Sequence, residues 1–268
     1  MMKREPAVAG QFYPGTKEHL QAEVGRLIEF REPKRRVIGV VSPHAGYVYS
    51  GAVAGLLYGA IEIPSTVVVL CPNHTGRGAS LALYPAGSWS TPLGEVPVNK
   101  ELSALLAEEV PWLEEDAAAH RFEHSLEVQL PFLQYLRPDV SVVPLCLGFS
   151  GYDRCASLGE GIAAAIARYG EEVLIVASSD MSHYEPAETA RDKDGSAIRE
   201  MLALNPEGLL RICRERRISM CGAAPAAAML VAARKLGAKE AELVAYATSG
   251  DVTGDNDQVV GYAAVAVY

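Results

Sequence analysis

Three histidines in this chain sit just beyond the ends of three apolar runs. Val37-Ile38-Gly39-Val40-Val41 leads into Ser42-Pro43-His44-Ala45-Gly46. Val67-Val68-Val69-Leu70 leads into Cys71-Pro72-Asn73-His74, and Val173-Leu174-Ile175-Val176 leads to Asp180-Met181-Ser182-His183. Imidazoles bind transition metals when neutral and move protons near neutral pH. Short runs of Val and Ile bounded by Pro, Gly, Ser and Asn read as buried strands. In open α/β sheets, ligands sit outside the carboxyl ends of the strands. The pattern therefore points to a metal or acid–base site at one edge of a sheet.

His44 and His74 share a design: a strand end, a proline that stiffens the turn, and a glycine that lets backbone approach a ligand. If their strands are neighbours, about 5 Å separates them, and both rings can reach one ion at about 2.0–2.1 Å. The plain alternative for each is a turn histidine satisfied by backbone groups. Asp180 and His183 are three residues apart, so a helical turn there would put them on one face. Asp180 would then orient the His183 ring and raise its basicity, with His183 a base or a further ligand.

Cys221 precedes Gly222-Ala223-Ala224-Pro225 at the start of a helical pattern. A thiol at a helix N-terminus has a lowered pKa, which suits a metal ligand or a nucleophile. The alternative is a small core residue, and Cys71, Cys146, Cys155 and Cys213 fit that better. His120-Arg121-Phe122-Glu123-His124 matches H-x-x-E-H, the inverted zinc-protease pattern. A helix over 120–136 would put both histidines on one face, opposite Phe122, Leu126, Leu130 and Leu133. Pro131 disturbs such a helix, and no third carboxylate follows convincingly. His124, with Glu123 and Ser125, remains a candidate group for supporting a ligand or touching substrate.

The elements that must position these groups follow from periodicity. Strands are expected at 37–42, 66–71, 80–84, 140–147, 173–178, 242–248 and 258–267. Helices are expected at 16–30, 50–61, 99–109, 120–136, 153–169, 186–204, 206–217 and 223–236. Their alternation indicates an α/β fold with a mixed or parallel sheet covered by helices. Residues 85–97 read as an irregular loop or hairpin. The last two strands follow each other without a helix, through turn residues 249–257 that lack the acid spacing of a calcium loop. At 268 residues and 49% hydrophobic content, with no linker-like stretch, residues 1–268 read as one domain.

A net charge of −9 disfavours nucleic acid. The basic clusters Lys34-Arg35-Arg36 and Arg214 with Arg216-Arg217 read as solvated faces. Five cysteines without CxxC spacing suggest neither a disulfide framework nor a four-thiolate zinc site. No apolar run approaches the ~18–20 residues of a membrane span, and the first residues carry no secretory pattern. A cytoplasmic protein is expected. G-x-S-x-G, the P-loop and G-x-G-x-x-G are all missing, which removes the usual anchors of serine hydrolases, nucleotide hydrolases and dehydrogenases.

The ordered markers Ala9-Gly10-Gln11-Phe12-Tyr13-Pro14, Pro43-His44-Ala45-Gly46-Tyr47, Pro72-Asn73-His74, Glu123-His124-Ser125-Leu126-Glu127, Ser179-Asp180-Met181-Ser182-His183, Cys221-Gly222 and Val260-Gly261-Tyr262 run nearly end to end. By these the chain resembles the Memo family, whose prokaryotic members are also called AmmeMemoRadiSam system protein B. The resemblance implies a fold similar to the class III extradiol, LigB-like dioxygenases. In those enzymes two histidines and a glutamate hold Fe(II), and another histidine assists proton transfer. Carried over, His44 and His74 are the expected histidine ligands and His183 the acid–base histidine, with Asp180 beside it. Cys221 falls where the family presents a cysteine in place of the dioxygenases' glutamate. A thiolate is softer and more oxidisable than a carboxylate and admits Cu or Zn as competitors.

The resulting expectation is a mononuclear centre of His44, His74 and Cys221 for Fe(II), with Cu or Zn as alternatives. Asp180 and His183 would be the acid–base pair, with His124 lining the pocket. The partner would be a small molecule or peptide undergoing metal-dependent redox chemistry. The alternatives are a non-catalytic metal- or peptide-binding module in a larger assembly, and metal-dependent hydrolysis. The family name hints at a link with an AMMECR-domain protein and a radical SAM protein.

Overall fold

A computed structural model describes residues 2–268. Four strands form its parallel centre: Gly39–Ser42, Val173–Ser178, Thr66–Pro72 and Ser141–Leu147, in that spatial order. Every residue of the middle two is buried. Strands covered on both faces read as continuous apolar runs, which is how these appear in the sequence.

Alternate residues serve two separate cores, as the two-residue strand period requires. Val41, Val68, Leu70, Ile175, Ala177, Val143 and Leu145 face one core, which includes Leu158, Met201, Leu209 and Met229 from covering helices. Val40, Val67, Val69, Leu174, Val176 and Val142 face the other, with Leu20, Leu57 and Phe132. The sheet is thus the middle of three layers.

Antiparallel strands extend both edges. Leu81–Leu83 pairs with Ser141–Leu147. Val259–Val267 pairs with Gly39–Ser42 near its end, with His183–Glu185 near its start, and with Ala241–Thr248 along its length. Residues 88–91 and 94–97 form a hairpin, one of the two forms expected for that stretch. No helix among the described residues is long and apolar enough to cross a membrane.

Four local expectations are corrected. The strands before His44 and His74 are not neighbours; both flank Val173–Ser178. No turn of helix joins Asp180 to His183; residue 183 begins the short strand His183–Glu185. The helix expected over 120–136 exists only from Leu130 to Leu136, after a 3-10 turn at Glu127–Gln129. Pro131 lies in its first turn, where no backbone N–H is required, so the proline starts the helix rather than disturbing it. A four-residue helix, Gly250–Thr253, lies between the last two long strands, formed within turn-rich sequence too short to show periodicity.

Candidate metal centre

Because the four central strands are parallel, Ser42, Ser178, Pro72 and Leu147 end at the same edge. The loops leaving the first three carry His44, Asp180 with His183, and His74. The His44 and His74 strands are separated by a whole strand, yet their ring centroids lie 5.3 Å apart. The loops close the gap that the sheet leaves open.

Each ring is held through Nδ1. His44, 2% exposed, has its Nδ1 at 2.9 Å from Ser178 Oγ. Its backbone N–H donates to Asp180 Oδ1 at 2.8 Å. Burial, followed by the neighbouring His124 and His74, holds its pKa well below the usual histidine value, so the ring is neutral. His74 has Nδ1 at 2.9 Å from Glu123 Oε1, and its backbone N–H donates to Glu123 Oε2 at 2.6 Å. Glu123 also accepts from the Ser125 N–H and hydroxyl. Burial alone would raise the Glu123 pKa, but His74 and Ser125 outweigh it and hold it at about 2. Burial likewise disfavours protonated His74, and the Glu123 hydrogen bond and charge overcome this to raise its pKa. A carboxylate on Nδ1 fixes ring orientation and leaves Nε2 as the ligand atom.

Cys221 arrives from a different part of the chain. It precedes the Ala223–Lys235 helix, and its neighbour Gly222 permits the approach. A Cβ at Gly222 would lie 2.3 Å from the Ser178 carbonyl oxygen and 2.5 Å from Ser179 Cβ. The Gly222 N–H donates to Ser179 Oγ, tying the helix start to the strand end. Cys221 Sγ then stands 3.3 Å from His44 Nε2 and accepts the Asp180 N–H at 3.3 Å. The expected lowering of its pKa is not found. Desolvation, reinforced by the Asp180 charge, pushes the thiol up against the opposing backbone N–H groups. The metal-free residue is therefore a thiol, and ion binding would have to displace its proton.

One ligand atom from each of His44, His74 and Cys221 falls within a 4.8 Å group, as do atoms of His74, Glu123 and His124. The first set suits an ion better. Glu123 already accepts four hydrogen bonds, whereas the first set offers two free ring nitrogens and a sulfur. Nitrogen with one soft anionic ligand fits a first-row transition metal.

His124 stands beside this set. Its ring centroid is 4.9 Å from His74, 5.5 Å from His44 and 4.9 Å from Phe12. Burial lowers its pKa. His183 lines the same cleft, but Asp180 does not orient it. Its N–H donates to Ser219 Oγ at 2.8 Å, and its Nδ1 is 3.1 Å from the Ser219 carbonyl oxygen. A carbonyl only accepts, so Nδ1 is the donor in this contact. Asp180 serves the other loop, accepting from the N–H groups of His44 and Ala45; burial dominates and raises its pKa to about 6.

His120 is elsewhere. It is fully buried, packs against Tyr84 and Trp89, and has Nε2 at 3.2 Å from the Ala82 carbonyl oxygen. It shares no helix face with His124, and the inverted zinc-protease geometry is not formed. Sequence reasoning did not find Ser178, Gln129 or the role of Glu123 as anchors. Spacing gave no signal for Ser178 or Gln129, whose partners lie 49 to 134 residues away. Glu123 stood inside a recognised marker, but nothing local joins it to His74.

A family profile described as Memo-like protein matches residues 4–266. The chain belongs to the Memo family. MEMO1 family proteins of Methanopyrus kandleri and Aquifex aeolicus are 42% and 44% identical to it, each alignment covering 98% of both chains. A MEMO1 family protein of Methanosarcina acetivorans is 44% identical over the whole of both chains. Among solved structures, an uncharacterized protein of Escherichia coli K12 superposes with a TM-score of 0.56 at 15% identity, covering 86% of this chain and 99% of that one. That likeness shows the α/β fold alone. In this Memo-family chain His44, His74, Asp180 and His183 line a single cleft, and Cys221 Sγ stands behind it, 3.3 Å from His44 Nε2.

Proposed function

We propose that His44, His74 and Cys221 hold one metal ion, and that the protein performs metal-dependent redox chemistry on a small molecule. The observation that carries this reading is the convergence of three potential ligand atoms from loops remote in sequence, within 4.8 Å. Fe(II) is the favoured ion, since two imidazoles and one anionic ligand leave coordination positions open. Cu and Zn are the competitors that a sulfur ligand admits. When bound, the ion would supply Lewis acidity and, for iron or copper, electron transfer. The chain's own part is to move protons and bind the substrate. His124, whose pKa burial lowers, and His183 present their rings to the cleft for proton transfer, while Asp180 keeps the His44 loop in place.

The cleft encloses about 720 Å³. Phe12, Tyr49, Tyr184 and Tyr262 contribute apolar surface, Asp180 and Asp255 are its acids, and no Lys or Arg among the described residues lines it. A small, flat ligand without a strongly anionic group fits such a wall. All five cysteines are free, which accords with a reducing, cytoplasmic setting.

A second reading is a metal-binding module that docks in a larger assembly, for instance with an AMMECR-domain or radical SAM protein. It is favoured by Val48 and Tyr184, which line the cleft and are 64% and 74% exposed. Anaerobic Fe(II) titration of the full chain, followed by calorimetry and metal analysis, tests the shared premise. Binding near one ion per chain is expected. Equal binding by a His44→Ala/His74→Ala double variant overturns it. Oxygen-dependent product formation from screened phenolic compounds then separates enzyme from module.

A further inference from the structure

We propose that the Ser178 hydroxyl is an obligate hydrogen-bond acceptor for His44, and that it thereby fixes the His44 proton on Nδ1 and the lone pair on Nε2. Ser178, Ser125, Gln129 and His44 form a buried polar cluster in which each proton has one place to go. Ser178 Oγ has three partners: the Ser125 carbonyl oxygen at 2.6 Å, Gln129 Nε2 at 2.8 Å and His44 Nδ1 at 2.9 Å. A serine hydroxyl has one proton and two lone pairs. The Ser125 carbonyl can only accept, so it takes the single proton.

Gln129 must then donate. Its orientation is settled by its other neighbours. Its Nε2 faces the Pro43 carbonyl oxygen at 2.9 Å and the Ser42 carbonyl oxygen at 3.4 Å, both acceptors. Its Oε1 accepts the Tyr58 hydroxyl at 2.8 Å. A flipped amide would set oxygen against carbonyl oxygen on one side and lose that acceptor on the other. With its proton given to Ser125 and one lone pair taken by Gln129, Ser178 has one lone pair left. His44 Nδ1 must bring the proton that fills it. The remaining ring nitrogen, Nε2, keeps the lone pair and accepts from the Cys221 thiol, whose Sγ is 3.3 Å away.

The strand end thus does two things. Ser178 closes the strand beneath Asp180, and its hydroxyl sets the ring state of a histidine carried by the neighbouring strand, where Ser42 pairs with Ser178 in register. Ser178 acts only through His44 and is a positioning residue. Its reach is longer than one bond: Tyr58, in the Tyr47–Ala60 helix, orients Gln129, which leaves Ser178 no alternative. The inference deepens the metal reading, but its core is a property of the metal-free protein. In a buried site such a network is worth building, because an unpaired ring nitrogen is costly there.

The test uses the full chain with ¹⁵N-labelled histidine, free of metal, at about pH 8 where the ring is neutral. Nitrogen-15 shifts and one-bond couplings should show His44 protonated at Nδ1. Ser178→Ala should abolish that single state, and Ser178→Thr, which keeps the oxygen, should restore it. In parallel, Zn(II) affinity by chelator competition should fall about 10–100-fold in Ser178→Ala and recover in Ser178→Thr. A wild-type His44 protonated at Nε2 overturns the inference even if every variant fails to fold. So does a Ser178→Ala protein with Nδ1–H and Zn(II) affinity both unchanged. A wild-type protein that shows Nδ1–H but binds no metal removes the metal reading and leaves the tautomer assignment standing.

Discussion

The Nδ1 atom of His74 and the Oε1 atom of Glu123 are 2.9 Å apart, and the carboxylate has no exposure to solvent. The pair couples the loop after Thr66–Pro72 to the irregular segment before Leu130. Glu123→Gln should weaken Zn(II) binding about 10–100-fold, read by chelator competition, because the charge that fixes and enriches the ring is lost.

The same pair predicts a pH window for stability. Glu123, held at about 2 in the folded protein, contributes stability that is present above its unfolded pKa of about 4.3 and lost as pH falls through about 2. His74, raised in the folded protein, contributes stability that is full below about 6.5 and lost as pH rises through its folded value. The difference in Tm between wild type and Glu123→Gln should therefore be largest between about pH 4.3 and 6.5. A difference that does not vary with pH would contradict this.

Asp180 behaves in the opposite sense. Its folded pKa, raised to about 6 mainly by burial, favours the folded state below about pH 3.9 and penalises it as pH rises through about 6. Metal-free Asp180→Asn keeps an oxygen for the His44 N–H. It should melt higher than wild type at pH 8, by an increment that shrinks to little at pH 4. Thermal melts of the two proteins across that range measure it.

Arg4 is 4% exposed. It pairs with the fully buried Glu127 and donates to the carbonyls of His120 and Glu123. Arg4→Met strands the Glu127 charge beside Tyr13 and the Ala7 and Val8 N–H groups. Breaking such a pair costs about 3–5 kcal/mol, to be read from urea unfolding.

His120→Leu removes the partner of the Ala82 carbonyl and should cost about 1–3 kcal/mol. It should leave Zn(II) stoichiometry unchanged. His74→Ala should abolish binding. Loss of the ion in His120→Leu with the fold intact would revive a site built on His120 and His124.

The strand ends were legible because a strand buried on both faces must be apolar throughout, so Val67–Leu70 and Val173–Val176 announce themselves. The prolines and glycines beside His44 and His74 marked loops that can carry ligands. What failed was local geometry without a period. Phe122, Leu126, Leu130 and Leu133 mimic a helical stripe, yet Phe122 is 50% exposed and only the last two lie in the helix Leu130–Leu136. The side chains between 117 and 129 answer to Arg4, His74 and Tyr58, which are distant in the chain. Strand order was likewise hidden, since nothing in the 37–42 or 66–71 segments reveals that Val173–Ser178 lies between them. The raised pKa of Cys221 follows from desolvation and the nearby Asp180 charge, which a helix N-terminus alone does not disclose.

The central claim is that His44, His74 and Cys221 share one ion. Anomalous diffraction from crystals of the reduced, full-length protein loaded with Zn(II), measured on both sides of the zinc absorption edge, tests it most directly. The account predicts a single strong peak at about 2.0–2.1 Å from Nε2 of both histidines and about 2.3 Å from Cys221 Sγ. A peak only at other residues, or none between these three, would contradict it.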